Sequence, residues 1–211
     1  MDTQEIPSAI VAESSDPLHR EKWLFDTILP YISGRVLEVN SGLGSFAVEF
    51  VAKRMPVHLS DPAIDKCQNL LQQFTGIAAV RAVHNIDFLH PDFMNVYSHL
   101  AGRFKTIMAI NIADYDLRSI KLTFQNISYL LRDKGRLVTI APSLTALYDG
   151  MALEFSEWKA YNRRPLREFL AGFKLINKMY FDAESNFQEP LIVRKAVETL
   201  IIARKIDYLP L

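Results

Sequence analysis

The stretch Val36-Leu37-Glu38-Val39-Asn40-Ser41-Gly42-Leu43-Gly44-Ser45 constrains this chain more than any other. An apolar strand runs into a short loop with two glycines. A helix pattern marked by Phe46, Ala47, Phe50 and Val51 follows at once. Gly42 and Gly44 permit main-chain conformations and close approaches that a side chain would block. In an open α/β sheet, ligands bind beyond the carboxyl ends of the strands, where the winding reverses, and the next helix offers unpaired amides there. Glu38 stands where an apolar residue is expected, and a carboxylate buried near a strand end is costly without partners. A plain strand-to-helix turn with two packing glycines is the simpler alternative, and the glycines alone do not separate the two readings.

The rest of the chain sets that loop in a repeating frame. Leu24, Ile28 and Tyr31, with Phe25, Leu29 and Ile32 beside them, predict a helix from about Leu18 to Ile32, which Gly34 stops. Strands are expected over residues 35–39, 56–60, 78–86, 104–112, 136–141, 173–181 and 197–205. Asp61-Pro62 opens a helix carrying Ile64, Cys67, Leu70, Leu71 and Phe74, since Asp caps free amides and Pro needs no donor in the first turn. Leu117, Ile120, Phe124, Ile127 and Leu131 mark another helix, which ends at Arg132-Asp133-Lys134-Gly135. Pro165 to Ala171 reads as a short one. Strands alternating with helices imply an α/β, mostly parallel sheet covered on both faces. Residues 182–196 read as a polar connection with Pro190, so the final strand is expected to run antiparallel. Residues 1–17 read as a poorly ordered leader and 18–211 as a single domain.

Composition narrows the function classes. Lys plus Arg and Asp plus Glu each number 24, so the formal net charge is zero, and no nucleic-acid partner is expected. Cys67 is the lone cysteine, which leaves no disulfide framework and no cysteine-based zinc site, and no metal is expected. It suits a reducing, cytoplasmic compartment. The polar, acidic start lacks the basic and apolar regions of a signal peptide, and runs such as Ile107 to Ile110 are too short to cross a bilayer.

Two further acids fall at strand ends. Asp61 lies roughly 20 residues after the loop, the usual place for an acid that holds ribose hydroxyls; a helix N-cap ahead of Pro62 is its plain alternative, and both can hold together. Asp87 ends the third strand and Phe88 follows it. A carboxylate there can accept from an adenine amino group with Phe88 beside the ring, or it is a simple strand-exit Asp.

This ordered set resembles the class I S-adenosylmethionine-dependent methyltransferases over roughly Leu18 to Lys205. Their glycine motif usually reads acid-x-Gly-x-Gly-x-Gly, here Glu38-Val39-Asn40-Ser41-Gly42-Leu43-Gly44. Leu130-Leu131-Arg132-Asp133-Lys134-Gly135-Arg136-Leu137-Val138 is similar to another family segment. The resemblance implies a Rossmann-like, seven-stranded sheet ordered 3-2-1-4-5-7-6 with strand seven antiparallel. It implies S-adenosylmethionine as cofactor, held by Glu38, Asn40, Gly42, Gly44, Asp61, Asp87, Phe88 and Asn111. A narrower similarity, to members linked with glycan and cell-envelope pathways, lies in the small insert at about residues 142–166: Leu147, Tyr148, Tyr161 and Leu166 keep the frame, while Ala152, Ser156-Glu157 and Lys159 replace its polar signature.

Two departures touch the site itself. Asn40 replaces the first glycine of the loop; Asn tolerates left-handed backbone, so the turn survives, but its side chain occupies space near the methionine end of the ligand. After the fourth strand, Asn111 fits the family pattern, whereas Asp114-Tyr115 replaces its Glu-His pair. Candidate bases for an oxygen or amine acceptor are Asp114, Tyr115, Tyr161 and His19, which stands just before the first helix. For His19 a solvent-exposed side chain is the favoured reading over a group above the pocket. The expected acceptor is a small molecule or glycan intermediate. The alternative is a noncatalytic binding or partner subunit that recruits an active paralogue; as partner of the chain itself, a homodimer or a paralogue is expected. A nicotinamide-dependent oxidoreductase is disfavoured, because the loop lacks Gly-x-Gly-x-x-Gly spacing.

Overall fold

The structure is a computed structural model that describes residues 17–110, 117–142, 173–181 and 198–205. Helix α1 (Pro17–Ile28) continues into a 3-10 turn at Leu29–Tyr31 and leads to strand β1 (Val36–Glu38). Then come α2 (Ser45–Ala52), β2 (Val57–Asp61), α3 (Ile64–Gln73), β3 (Val80–Asn85), the short α4 (Phe93–Val96), a 3-10 turn at Ser98–Leu100, and β4 (Phe104–Ala109). Helix α5 (Leu117–Leu130) and strands β5 (Leu131–Pro142), β6 (Phe173–Phe181) and β7 (Glu198–Lys205) complete the described elements. The strands form one seven-stranded sheet ordered β3-β2-β1-β4-β5-β7-β6. β1 to β5 pair in parallel, and β7 runs antiparallel to both β5 and β6. The Rossmann-like order implied by the family resemblance is therefore the observed one.

Alternation along β1 divides the core. Val36 joins Leu24, Phe25, Ile28, Phe46, Phe50, Leu59 and Leu70 beneath α1, α2 and α3. Leu37 and Val39 join Phe88, Phe93, Phe104, Phe124 and Ile127 on the face covered by α4 and α5. Phe25 on α1 meets Phe50 on α2 edge-on at 4.8 Å, a contact of about 1 kcal/mol beyond its area burial. On the α5 face, Asn126 Nδ2 donates to the Phe88 carbonyl at 2.8 Å and ties that helix to the segment after β3. Also on this face, His58 Nδ1 and His84 Nε2 share a hydrogen bond of 3.0 Å, both rings edge-on to Phe104. Burial, then the nearby His84, Arg35 and Arg81, lowers the pKa of His58 to about 4.

Several boundaries differ from those read in the sequence. α1 starts at Pro17, so His19 falls within its first turn rather than ahead of it; its side chain lies outside the described residues. α3 starts at Ile64, after Ala63, and not at Asp61-Pro62, because Asp61 closes β2 and its carboxylate is engaged elsewhere. β4 ends at Ala109. β5 begins at Leu131, which pairs with Phe104 before the ladder resumes at Thr106–Arg136; Arg132 to Gly135 bulge between them, with Lys134 at φ +55°. The leader to residue 16 and the insert, apart from its first residue, Pro142, lie outside the described residues. Among the described residues, no helix is long and apolar enough to cross a membrane.

Candidate functional site

β1 stops at Glu38 because the chain turns left-handed two residues later. Asn40 has φ +55°, Gly42 +55° and Gly44 +79°. Asn pays the smallest penalty among non-glycine residues in this region, so the turn forms without the family's first glycine. Two serines lock the loop to β2: Ser41 N–H donates to the Ser60 carbonyl at 2.8 Å, and Ser60 N–H donates to Ser41 Oγ at 3.2 Å. Ser60 Oγ in turn donates to the Glu38 carbonyl at 2.7 Å. Neither serine stood out in the sequence, although a buried hydroxyl beside Asp61 at a strand end is a signal that the neighbouring main chain needs an anchor.

The two glycines do different work. A Cβ on Gly44 would sit 2.7 Å from the Phe74 ring and 2.9 Å from Leu70, so its absence lets α3 pack on the loop. A Cβ on Gly42 would meet nothing nearer than the Asn40 carbonyl at 3.9 Å. Open space therefore faces the Gly42 main chain. Gly44 stands at the N-cap of α2 and offers no capping side chain, which leaves the first amides of that helix to another acceptor.

Three acids stand at the ends of adjacent strands. Asp61 is 1% exposed; its Oδ2 accepts from Gly42 N–H at 3.1 Å and its Oδ1 from Ala63 N–H at 3.0 Å. It faces the loop and closes a tight turn onto Ala63, in place of an N-cap to α3. Asn85, also unnoticed in the sequence, holds this exit by donating to the carbonyls of Asp61 and Pro62 at 3.0 and 2.9 Å. Asp87 lies two residues beyond β3, where its Oδ1 accepts from Leu89 N–H at 2.8 Å and its own N–H donates to Tyr97 Oη at 3.0 Å. Glu38 is 3% exposed, and its Oε2 has no hydrogen-bond partner. Burial pushes its pKa up to about 8, a hydrogen bond with Ser41 opposes this, and the charge of Glu21 on α1 adds to it. Glu38 is thus largely a neutral acid at pH 7.

The remaining expected positions divide. Phe88 is 2% exposed and packs against Phe93 at 5.4 Å, so its ring belongs to the core behind Asp87 rather than to the open crevice. The pull of the apolar cluster under α4 outweighs exposure at the strand tip. Asn111, Asp114, Tyr115 and Tyr161 lie outside the described residues. Among the described residues, no cluster of three metal-ligating side chains occurs.

No protein-family model and no curated protein matches this sequence. Solved structures match it in shape. The N-methyltransferase NodS from Bradyrhizobium japonicum superposes with a TM-score of 0.62 at 13% identity, covering 92% of this chain and 99% of that one. An S-adenosylmethionine-dependent methyltransferase from Clostridium acetobutylicum gives 0.62 at 11%, covering 94% and 95%. Geranyl diphosphate C-methyltransferase from Streptomyces coelicolor, solved with S-adenosyl-L-homocysteine, gives 0.62 at 14%, covering 96% and 84%. Strand order, the antiparallel seventh strand and these superpositions together give this chain the Rossmann-like fold of the class I S-adenosylmethionine-dependent methyltransferases.

Proposed function

We propose that this chain binds S-adenosylmethionine at the carboxyl ends of β1, β2 and β3 and transfers its methyl group to a small-molecule or glycan-intermediate acceptor. The observation that carries the reading is the open approach to the Gly42 main chain, which Asp61 holds, with Glu38 and Asp87 at or just past the ends of the strands on either side of β2. The residues fit such a ligand. Glu38 Oε2 is a buried polar atom without a partner, able as a neutral acid to donate or accept, and the uncapped start of α2 follows at the end of the same loop. Each Asp61 oxygen already accepts one amide, but a carboxylate oxygen has a second lone pair, so ribose hydroxyls can share it.

In this reading Asp61 accepts from the ribose, Asp87 from the adenine amino group, and the Gly42–Gly44 main chain passes close beneath. Glu38, Asn40 and Asn111 meet the methionine end. When bound, the sulfonium supplies an electrophilic methyl carbon without help from a metal. The chain then has to hold the acceptor in line and keep water out, and orientation supplies much of the rate. Phe88 acts from behind, by fixing the strand exit that carries Asp87. Asp114, Tyr115, His19 and Tyr161 remain the proposed acceptor-side groups.

Isothermal titration of the folded full-length chain with S-adenosylhomocysteine tests the reading. One equivalent bound, and lost in Asp61→Ala, is expected. Absence of heat from a protein with an intact thermal transition overturns it. Asn40 and the Asp114-Tyr115 pair favour a second reading, a partner subunit that binds without turnover; methyl transfer by the chain alone excludes that one.

A further inference from the structure

Positive charge gathers at the end of the sheet opposite the glycine loop. Arg136 on β5 lies in register with Arg204 on β7, and Arg204 with Lys174 on β6. Residues directly opposite across an antiparallel ladder project from one face, so these three cations form a row, on the face that buries Val138 and Ile202. With strands roughly 4.8 Å apart, the row spans about 10 Å. Like charges directly opposite destabilise a ladder, and here the arrangement occurs twice in succession. Lys105, near the start of β4, and Arg132 and Lys134, in the exposed bulge of β5, lie at the same end of the sheet. Burial, then the charges of Arg132, Arg136, Arg204 and Lys134, holds the Lys105 ammonium below its usual pKa.

The excess is local, on a chain with zero net charge. Asp133 is the acid within the bulge itself. Among the described residues, no carboxylate forms an ion pair with Lys105, Arg132, Arg136, Lys174 or Arg204. Arg136 gives one donor to the Tyr31 carbonyl at 3.1 Å and keeps the rest of its fork. Arg204 and Lys174 are exposed.

We propose that this rim is a second ligand site, which binds the diphosphate or triphosphate group of a small molecule. Arginine forks match phosphoryl oxygens two at a time, and linked phosphoryl groups concentrate enough charge to offset the repulsion built into the row. The compact size follows from where the row stops. On one side β6 is the edge of the sheet; on the other, the next positions in register are Thr106 on β4 and Val36 on β1. On the face that carries the row, a polynucleotide would meet no cation at these next two positions in register. The rim and the crevice stand at opposite ends of the strands, so one can fill while the other stays open.

Calorimetric titration of the full-length chain with inorganic tripolyphosphate tests the site. One equivalent is expected to bind, more tightly than sulfate at matched ionic strength, and to weaken steeply with added salt. Arg204→Gln with Lys174→Gln is expected to weaken it at least tenfold, and Arg132→Gln alone by several-fold, with thermal transitions and S-adenosylhomocysteine binding unchanged. No heat with tripolyphosphate, or equal affinity in the double variant, overturns the site. A single-stranded oligonucleotide that binds the rim more tightly than tripolyphosphate, or anionic vesicles that capture the chain through Arg204, overturns the compact-phosphate assignment in favour of that larger partner.

Discussion

Asp61 on the second strand accepts a hydrogen bond from the main-chain amide of Gly42, 3.1 Å away in the loop after the first strand. The bond joins the glycine loop to the acid next door, so neither can move alone. Asp61→Asn keeps one acceptor and turns an amide donor toward either Gly42 or Ala63 N–H. Leaving that buried group unmatched costs about 1–3 kcal/mol. Urea unfolding should show the loss at unchanged slope, and S-adenosylhomocysteine affinity should fall by about tenfold or more. A variant as stable as the parent would mean that the two amides are not held by this carboxylate.

The two loop glycines should respond differently to the same substitution. Gly44→Ala forces a methyl into the Phe74 ring and Leu70, and should cost about 1–3 kcal/mol through overpacking, with a further strain from its positive φ. Gly42→Ala has room, so only the left-handed backbone opposes it, at about 1 kcal/mol. Its larger effect should be on ligand affinity, because the methyl fills the open approach. Thermal melts set beside titrations separate the pair; equal effects on both readouts would contradict the division of labour.

Glu38 should make the chain less stable in alkali. Its folded pKa of about 8 exceeds the ordinary 4.5, so the folded state holds the proton that the unfolded state releases. The contribution is fully present below pH 4.5 and is lost as pH rises through 8. Its size is on the order of a few kcal/mol. Glu38→Gln, neutral and of the same shape, should match the parent near pH 5 and exceed its stability near pH 9. Parallel pH profiles for the two proteins would argue that Glu38 is not buried as a neutral acid.

The His58–His84 pair acts in the opposite direction. Its folded pKa values lie below the ordinary 6.5, that of His58 at about 4. The stability these rings contribute is present above pH 6.5 and is lost as pH falls through 4 for His58. Imidazole titration followed by NMR should give two coupled steps, both acid-shifted, and His58→Gln should flatten the acid limb of the stability profile. A step near 6.5 from either ring would show that the pair is solvated.

Much of this architecture was legible in the chain. Val36 to Val39, Ile107 to Ile110 and Leu137 to Ala141 are short, mostly apolar runs, so length and composition marked them as buried strands. The glycine loop was legible because only a few residues accept positive φ, and Asn40 is one of them. The segment between β3 and β4 was not. Phe93, Tyr97 and Leu100 have helical spacing, but they serve two single turns too short for any pattern to build up. Phe88 misled for a related reason. An aromatic after a strand-end acid reads as a stacking surface, and only the fold reveals Phe93 waiting beneath it. The serine clasp between Ser41 and Ser60 depends on which strands become neighbours, and no local spacing encodes that.

The place of β7 has a consequence for how the molecule is made. It is the last described strand in the chain, yet it sits between β5 and β6. Until it leaves the ribosome, β5 keeps an unpaired edge and β6 has no neighbour to pair with. Synthesis at about 5–20 residues per second leaves that edge bare for several seconds, long enough for a chaperone to cover it or for another nascent chain to add to it. The half of the sheet that carries the glycine loop can form early; the half that carries the cationic row closes only when this one strand slides in.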